Sequence, residues 1–171
     1  VTRGGYWLEG RNISDYSDDE LSDIRARRIG FIFQSYNLIP QLNVVENIEV
    51  PLYYQGISEK ESAQRAVELA EMVGQGNRLE HLPTQLSGGQ RQRVGVARAL
   101  ANNPVVVLAD EPTGNLDSKT GREILDLLLS LNREHGTTLL IVTHDRDVSA
   151  NTDRVVQLVD EIGRASCRER V

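Results

Sequence analysis

Two adjacent carboxylates, Asp110 and Glu111, follow directly on the unbroken aliphatic run VVVLA at 105–109. A continuous apolar run of this length is typical of a strand buried on both faces of a parallel sheet. Carboxylates at the end of such a strand are costly unless a cation or hydrogen-bond donors meet them. Because α/β sheets bind ligands at the carboxyl ends of their strands, the pair predicts a ligand site there.

Two further polar residues, Gln34 and His144, also follow apolar runs. Gln34 comes after residues 29–33, which we interpret as a short strand, and His144 comes after residues 138–143, which we interpret as a second buried strand. If the strands are parallel, both side chains lie on the same rim as Asp110. Taken alone, however, a glutamine at a strand end is ordinarily a loop residue.

The segment LSGGQ at 86–90 indicates the start of a helix. Ser87 and Gln90 have the spacing of a capping box, and the helix is predicted to run to Ala101, where Asn-Asn-Pro ends it. The first turn of a helix presents unpaired N–H groups and the positive end of the dipole, so it attracts anions. Gly88 and Gly89, without side chains, would let a phosphate approach this turn closely.

These motifs occur in one order: LSGGQ, the strand with Asp110 and Glu111, Asn-Leu-Asp at 115–117, and His144 after a second strand. In this order they resemble the nucleotide-binding domain of ATP-binding cassette (ABC) transporters, over roughly residues 4–160. The wording ADEPTGNLDSKTG and FQSYNLIPQLNVVENIEVPL resembles the macrolide-export and lipoprotein-release branch. The resemblance implies an α/β fold like that of P-loop NTPases, with a mostly parallel sheet flanked by helices and an inserted α-helical subdomain.

The resemblance also implies site roles and two cofactors, ATP and Mg²⁺. Asp110 and Gln34 would hold the metal, Glu111 would orient and polarise the attacking water, and His144 would hydrogen-bond the γ-phosphate. Phosphoryl transfer to water passes through a loose transition state, so such a site works mainly by positioning and charge neutralisation. The expected activity is therefore ATP hydrolysis coupled to transport.

Partners follow from the same resemblance. A second nucleotide-binding domain would close head to tail over the nucleotides, and the residues that meet its bound phosphate would be Ser87, Gly88, Gly89, Gln90 and Asp117. A transmembrane permease subunit, or a fused membrane domain, would receive the motion, which places the protein peripherally on the cytoplasmic face of the inner membrane. The expected work is export or membrane extraction of a substrate.

The sequence divides into four parts on this interpretation. Residues 1–34 are a remnant of the ATP-binding core, 35–86 form the helical subdomain, 87–160 carry the signature helix and the remaining core, and 161–171 are a tail outside the family pattern. We interpret that tail as a cloning or sequencing scar and leave it out of the fold. Residues 155–160 are predicted to form a final strand.

The helical subdomain is predicted to contain two helices, the first closed by Pro51 and the second capped by Ser58 with Glu61. One face of the second helix is expected to pack inward, and its apolar residues are Ala63, Ala66, Val67 and Ala70. Candidates for the contact with the membrane partner, with internal packing as the equal alternative, are Tyr36, Leu38, Ile39, Leu42 and Val44.

One departure from the family pattern is clear, because the phosphate-binding loop G-x-x-x-x-G-K-[ST] does not occur in the sequence. We therefore expect an N-terminally truncated domain with half of the ATP site, inactive by itself, and with apolar surface exposed beside the strand at 105–109.

Bulk properties exclude several other classes. The net charge of −6 over 171 residues disfavours a general nucleic-acid binder, and no nucleic-acid partner is expected. Nothing approaches eighteen consecutive apolar residues, and the single cysteine, Cys167, cannot form an internal disulfide. The alternatives to a transport ATPase are a soluble ABC-class ATPase working on DNA or ribosomes, and an inactive binding fragment that offers residues 87–90 to a partner.

Overall fold

Helices and strands alternate through most of the chain in the computed structural model, which describes residues 4–157 and 166–169. In chain order the elements are β1 (Trp7–Leu8), β2 (Arg11–Asn12), α1 (Asp18–Arg28), β3 (Ile29–Ile32), α2 (Val44–Tyr54), α3 (Glu59–Met72), a 3₁₀ turn (Pro83–Gln85), α4 (Gly88–Leu100), β4 (Val106–Asp110), α5 (Ser118–His135), β5 (Thr138–Val142), α6 (Arg146–Ala150), β6 (Arg154–Gln157) and β7 (Ser166–Glu169).

A parallel sheet in the order β3-β4-β5 forms the centre of the fold. One face is covered by α4 and α5, and the buried side chains on that face include Ile32, Val107 and Ala109. Helix α4 approaches β3 so closely that a methyl group on Gly30 would lie 2.2 Å from the carbonyl oxygen of Ala99. The parallel sheet flanked by helices confirms the predicted fold class.

The opposite face of this sheet is open in the described part of the chain. Residues Phe31, Leu108 and Leu140 lie side by side in register, and Leu140 and Val142 are 56% and 60% exposed. The run at 105–109 is predicted to be buried on both faces, but Val106 and Leu108 of β4 are only partly buried on this open face. The prediction of a second buried strand is wrong for β5, whose side chains on this face are exposed. The reason is that alternate side chains of a strand point to opposite faces and the described helices cover only one.

Helices α2 and α3 pack against each other and against α4, around buried Ile48 and Leu69. Two details differ from the sequence prediction. Helix α2 is not closed by Pro51 but runs through it to Tyr54, because another turn buries Leu52, which offsets one lost backbone hydrogen bond.

The buried face of α3 also differs from the prediction. Its buried residues follow the spacing i, i+4, i+7, i+8 and are Ser62, Ala66, Leu69 and Ala70. Ala63 and Val67 are only half-buried at its margins. The sequence prediction counted only apolar residues on this face and so left out Ser62. Ser62 is buried nevertheless, because its hydroxyl donates to Glu49 at 2.7 Å.

The predicted caps of α3 and α4 are confirmed. Ser87 and Gln90 form a complete capping box, and Ser58 accepts from the backbone N–H of Glu61. Ser17 and Glu20 form a complete box at the start of α1, and Gly136 ends α5 with φ of +64°. Strand β6 covers part of the predicted final strand, of which 158–160 lie outside the described residues. Within the tail that the sequence prediction set aside, β7 pairs antiparallel with β6. No described helix is long and apolar enough to cross a membrane.

Candidate functional site

The carboxyl ends of the three parallel strands bring Gln34, Asp110, Glu111 and His144 to one edge of the sheet, which we call the strand-end rim. Glu111 is tied to the end of β5 by its own N–H, which donates to the carbonyl of Val142 at 2.9 Å. Its carboxylate reaches His144, whose Nδ1 lies 2.6 Å from Oε1.

Gln34 is joined to the same rim through the turn that follows β4. The side-chain amide of Asn115 donates to the carbonyl of Gln34 at 2.9 Å. A methyl group on Gly114 would lie 2.8 Å from Nε2 of Gln34 and 3.4 Å from Cβ of Glu111. The close approach of Gln34 and Glu111 therefore depends on a glycine between them.

The carboxylate of Glu111 is held by three donors. Oε1 accepts from the backbone N–H and from Nδ1 of His144, and Oε2 accepts from the hydroxyl of Thr143 at 3.0 Å. The side chain of Glu111 is only 17% exposed, whereas that of His144 is 87% exposed. The backbone of Glu111 adopts φ of +43°, a conformation that costs a non-glycine residue about 1–3 kcal/mol. Such strain persists only where the surroundings fix the residue, and here they aim a carboxylate at the rim.

Asp110 differs from its neighbour, because its exposed carboxylate has no hydrogen-bond or ion-pair partner within the described residues. The side-chain amide of Gln34 is likewise unpartnered there. Mg²⁺ is usually held by one or two carboxylates together with water and substrate phosphates rather than by a full protein cage. The donors at the rim fit that pattern, and the described residues contain no cluster of three or more acidic, histidine or cysteine ligands.

The first turn of α4 forms a second cluster. The hydroxyl of Ser87 accepts from Gln90 N at 3.3 Å, and Oε1 of Gln90 accepts from Ser87 N at 2.8 Å. The side-chain oxygen of Gln90 is thus engaged in capping its own helix. Ser87 itself is exposed.

The two glycines of this turn face protein atoms. A methyl group on Gly89 would lie 2.4 Å from Cγ2 of Thr120, and one on Gly88 would lie 2.9 Å from the hydroxyl of Tyr36. From the sequence, both glycines are explained by the close approach of a phosphate. Internal packing gives each a separate reason: Gly89 lets α4 start close to Thr120 of α5, and Gly88 leaves room for Tyr36 and Leu116.

Asp117 is the N-cap of α5 and lies beside that turn. Its carboxylate accepts from Thr120 Oγ1 at 2.6 Å, Thr120 N at 3.1 Å and Lys119 N at 3.2 Å. These bonds, chiefly those from Thr120, lower the pKa of Asp117. The structure therefore connects Asp117 to Gly89 through one threonine, so Ser87–Gln90 and Asp117 form one cluster.

Sequence reasoning missed several residues that hold the rim. Thr143 was assigned only to a strand, and Gln92 was not considered, although it is fully buried and donates from Nε2 to the carbonyl of Pro112 at 2.7 Å. The sequence did contain a signal for Gln92, because it lies four positions before Val96 and therefore on the inward face of α4. For Thr143 the sequence offers no such signal.

A family model described as "ABC transporter" matches residues 1–114. An uncharacterized ABC transporter ATP-binding protein of Thermotoga maritima is 52% identical over 169 residues, covering 99% of this chain and 71% of that protein. The macrolide export ATP-binding/permease protein MacB of Rhodopirellula baltica is 47% identical over 171 residues, which make up 25% of its length.

Solved structures give the same result. The ATP-binding cassette MJ0796, in a dimeric post-hydrolysis state bound to ADP and phosphate, is 46% identical. The superposition has a TM-score of 0.77 and covers 91% of this chain and 68% of the other.

Proposed function

This chain belongs to the ABC transporter ATP-binding family, and we propose that it forms part of an ATP-hydrolysing cassette that drives a membrane partner. Family membership implies nucleotide binding and ATP hydrolysis. The roles of individual residues, the metal, the dimer and the transport step are our proposal, and the strand-end rim is the observation that carries it.

Glu111 is the proposed base. Its carboxylate is aimed by Thr143 and His144 and would orient the attacking water and accept its proton. Truncation of a positioned base of this kind typically lowers a rate by about 10²–10⁴-fold.

Asp110 and Gln34 are the proposed holders of Mg²⁺. A free carboxylate and a free amide oxygen at one rim suit an octahedral ion that keeps several water ligands. When bound, the ion would supply neutralisation of the charge on the nucleotide phosphates.

His144 is the proposed phosphate contact. Because a carboxylate can only accept a hydrogen bond, the ring nitrogen facing Glu111 must carry a proton. The other side of this exposed ring is where we propose that a phosphate oxygen binds.

The first turn of α4 is proposed to meet the phosphate of a second cassette. Ser87 is exposed, and the N–H groups of a first helical turn have no partner within the helix. Ser87, Gly88, Gly89, Gln90 and Asp117 would lie at that interface. The dimeric state of the solved relative with ADP and phosphate supports this arrangement.

The second proposed partner is a permease subunit or a fused membrane domain, which the cassette would meet at the cytoplasmic face of the inner membrane. The relative MacB is named as an ATP-binding/permease protein. Among the sequence candidates for that contact, Val44 belongs to the core with 1% exposure, whereas Ile39 is exposed. Ile39 is therefore the better candidate.

The test measures magnesium-dependent ATP hydrolysis by two proteins. One is the 171-residue chain, and the other carries a phosphate-loop segment from another family member fused ahead of residue 1. We expect the chain alone to be inactive and the fusion to be active. In the fusion, Glu111→Gln should lower turnover by at least about 10²-fold. Glu134→Gln, at an exposed position in the last turn of α5, is the matched control and should have no effect.

Equal turnover by the fusion with and without Glu111→Gln would overturn the proposed role of the rim. Turnover by the unfused chain that disappears in Glu111→Gln would instead refute the expected inactivity of these residues by themselves.

A further inference from the structure

The loop that follows Gln34 has an unfavourable backbone. Tyr36 and Asn37 are consecutive non-glycine residues with φ of +63° and +48°. Left-handed conformations of this kind disfavour residues that carry a Cβ, and two in succession are rare. Contacts from outside the loop must therefore hold it in place.

Arg98 of α4 supplies such contacts. Its Nη1 donates to the carbonyl of Asn37 at 2.5 Å and its Nη2 donates to the carbonyl of Tyr36 at 2.8 Å. Within the described residues this half-buried guanidinium has no carboxylate partner, and burial lowers its pKa. A partly desolvated cation whose only partners are carbonyl groups is costly. The planar guanidinium can donate to two carbonyl groups at once, and this geometry gives the cost a structural purpose.

The side chain of Tyr36 ties the same loop to the start of α4. The guanidinium of Arg91 lies 5.0 Å from the centre of the Tyr36 ring. The hydroxyl of Tyr36 donates to the carbonyl of Asn115 at 3.5 Å. Arg91 and Arg98 are seven residues apart and so lie on one face of the helix, two turns from each other. Asn115 in turn donates to the carbonyl of Gln34.

We propose that Arg98 is a positioning residue whose guanidinium fixes the backbone of Tyr36 and Asn37, and thereby sets the place of Gln34 at the strand-end rim. A displacement of α4 then moves Gln34 with it, so the helix start and the rim respond together. This inference rests on the proposed function where it concerns the use of Gln34 in metal binding. The contact between Arg98 and the loop does not.

The first experiment measures amide hydrogen exchange by NMR in the full chain. The amides of Tyr36 and Asn37 donate within the loop, to Phe33 and Ser35, so their exchange rates report its opening. We expect Arg98→Met to accelerate both by about tenfold or more, and Arg98→Lys, which keeps the charge but loses the planar fork, to restore part of the protection. The amide of Val96, inside α4, should be unaffected.

Arg93→Met is the matched control. Arg93 lies on the same helix, is also half-buried and also donates to a carbonyl, that of Val73, but it is on another face. It should leave the exchange of Tyr36 and Asn37 unchanged. Equal acceleration by the Arg93 and Arg98 variants, or a parallel acceleration of Val96, would overturn the inference.

The second experiment measures the Mg²⁺ concentration for half-maximal ATPase in the phosphate-loop fusion. We expect Arg98→Met to raise it about tenfold, and to add nothing in a Gln34→Ala background, because both changes would act through one side chain. Full additivity of the two changes would overturn the positioning role. An unchanged Mg²⁺ requirement in Gln34→Ala alone would refute the proposed role of Gln34 in metal binding. The hydrogen-exchange rates would still test, independently, whether Arg98 holds the backbone of Tyr36 and Asn37.

Discussion

Replacing Gly89 by alanine tests how the start of α4 is packed against α5. The added methyl carbon would lie 2.4 Å from Cγ2 of Thr120, whereas carbon atoms in contact normally lie about 3.5–4.0 Å apart. Thr120 cannot rotate freely to relieve the overlap, because its hydroxyl donates to Asp117 at 2.6 Å. Either that bond or the position of the helix start must change.

The magnitude follows from two opposing effects. Overpacking a well-filled site costs about 1–3 kcal/mol. Alanine is the better helix former and recovers about 0.5–1 kcal/mol relative to glycine, less at the first turn than in the interior. The difference leaves a net destabilisation of about 0–2.5 kcal/mol for Gly89→Ala, nearer the upper end because the gain is small at the first turn.

Urea unfolding of four proteins measures this: the parent chain, Gly89→Ala, Thr120→Ser and the double variant. Thr120→Ser removes the clashing methyl group but keeps the hydroxyl, so it should restore most of the loss, with a coupling energy of about 1 kcal/mol or more. If Gly89→Ala costs the same in both backgrounds, the overlap with Thr120 is not the cause, and the packing argument for this glycine is refuted.

Three further outcomes are expected. Gly30→Ala should destabilise the fold by about 3 kcal/mol or more in chemical denaturation, because the new methyl would overlap the rigid backbone carbonyl of Ala99; a loss below about 1 kcal/mol would contradict this. In the phosphate-loop fusion, Thr143→Val should lower kcat about tenfold at unchanged KM for ATP, since it frees one oxygen of Glu111, and Thr143→Ser should restore it; an equal loss in both would exclude the hydroxyl as the cause. Because hydrogen bonds from Thr120 lower the pKa of Asp117 from 3.8, its ionised form stabilises the fold above that value, and the contribution is lost as pH falls through the lowered pKa. The stability difference between the parent and Asp117→Asn should therefore shrink in urea titrations as the pH is lowered through and below 3.8, and a constant difference would refute the assignment.

Local features of the sequence were enough to predict the helix starts and the strand ends. Ser58 with Glu61, and Ser87 with Gln90, satisfy backbone groups within three residues of themselves, so their effect does not depend on the rest of the chain. The strand-end rim could also be predicted from the sequence, because parallel strands present their carboxyl ends at one edge of the sheet.

Other features were decided only by packing between distant segments. The path of α2 through Pro51 depends on the burial of Leu52, and the inward face of α3 includes a serine because Glu49 lies opposite it. No local pattern in the sequence shows that α2 continues past Pro51 or that a serine lies on the buried face of α3.

The sequence by itself thus determined which residues we propose to meet a phosphate and which elements carry them, since residue type, order and short-range spacing can be read directly from the chain. Only the tertiary structure decided how those residues are held. Arg98 and Tyr36 are 62 positions apart, and Thr143 and Glu111 are 32 apart, yet hydrogen bonds join each pair. Bonds of that separation form only after the chain has folded back on itself, when burial of apolar surface has already brought the elements together.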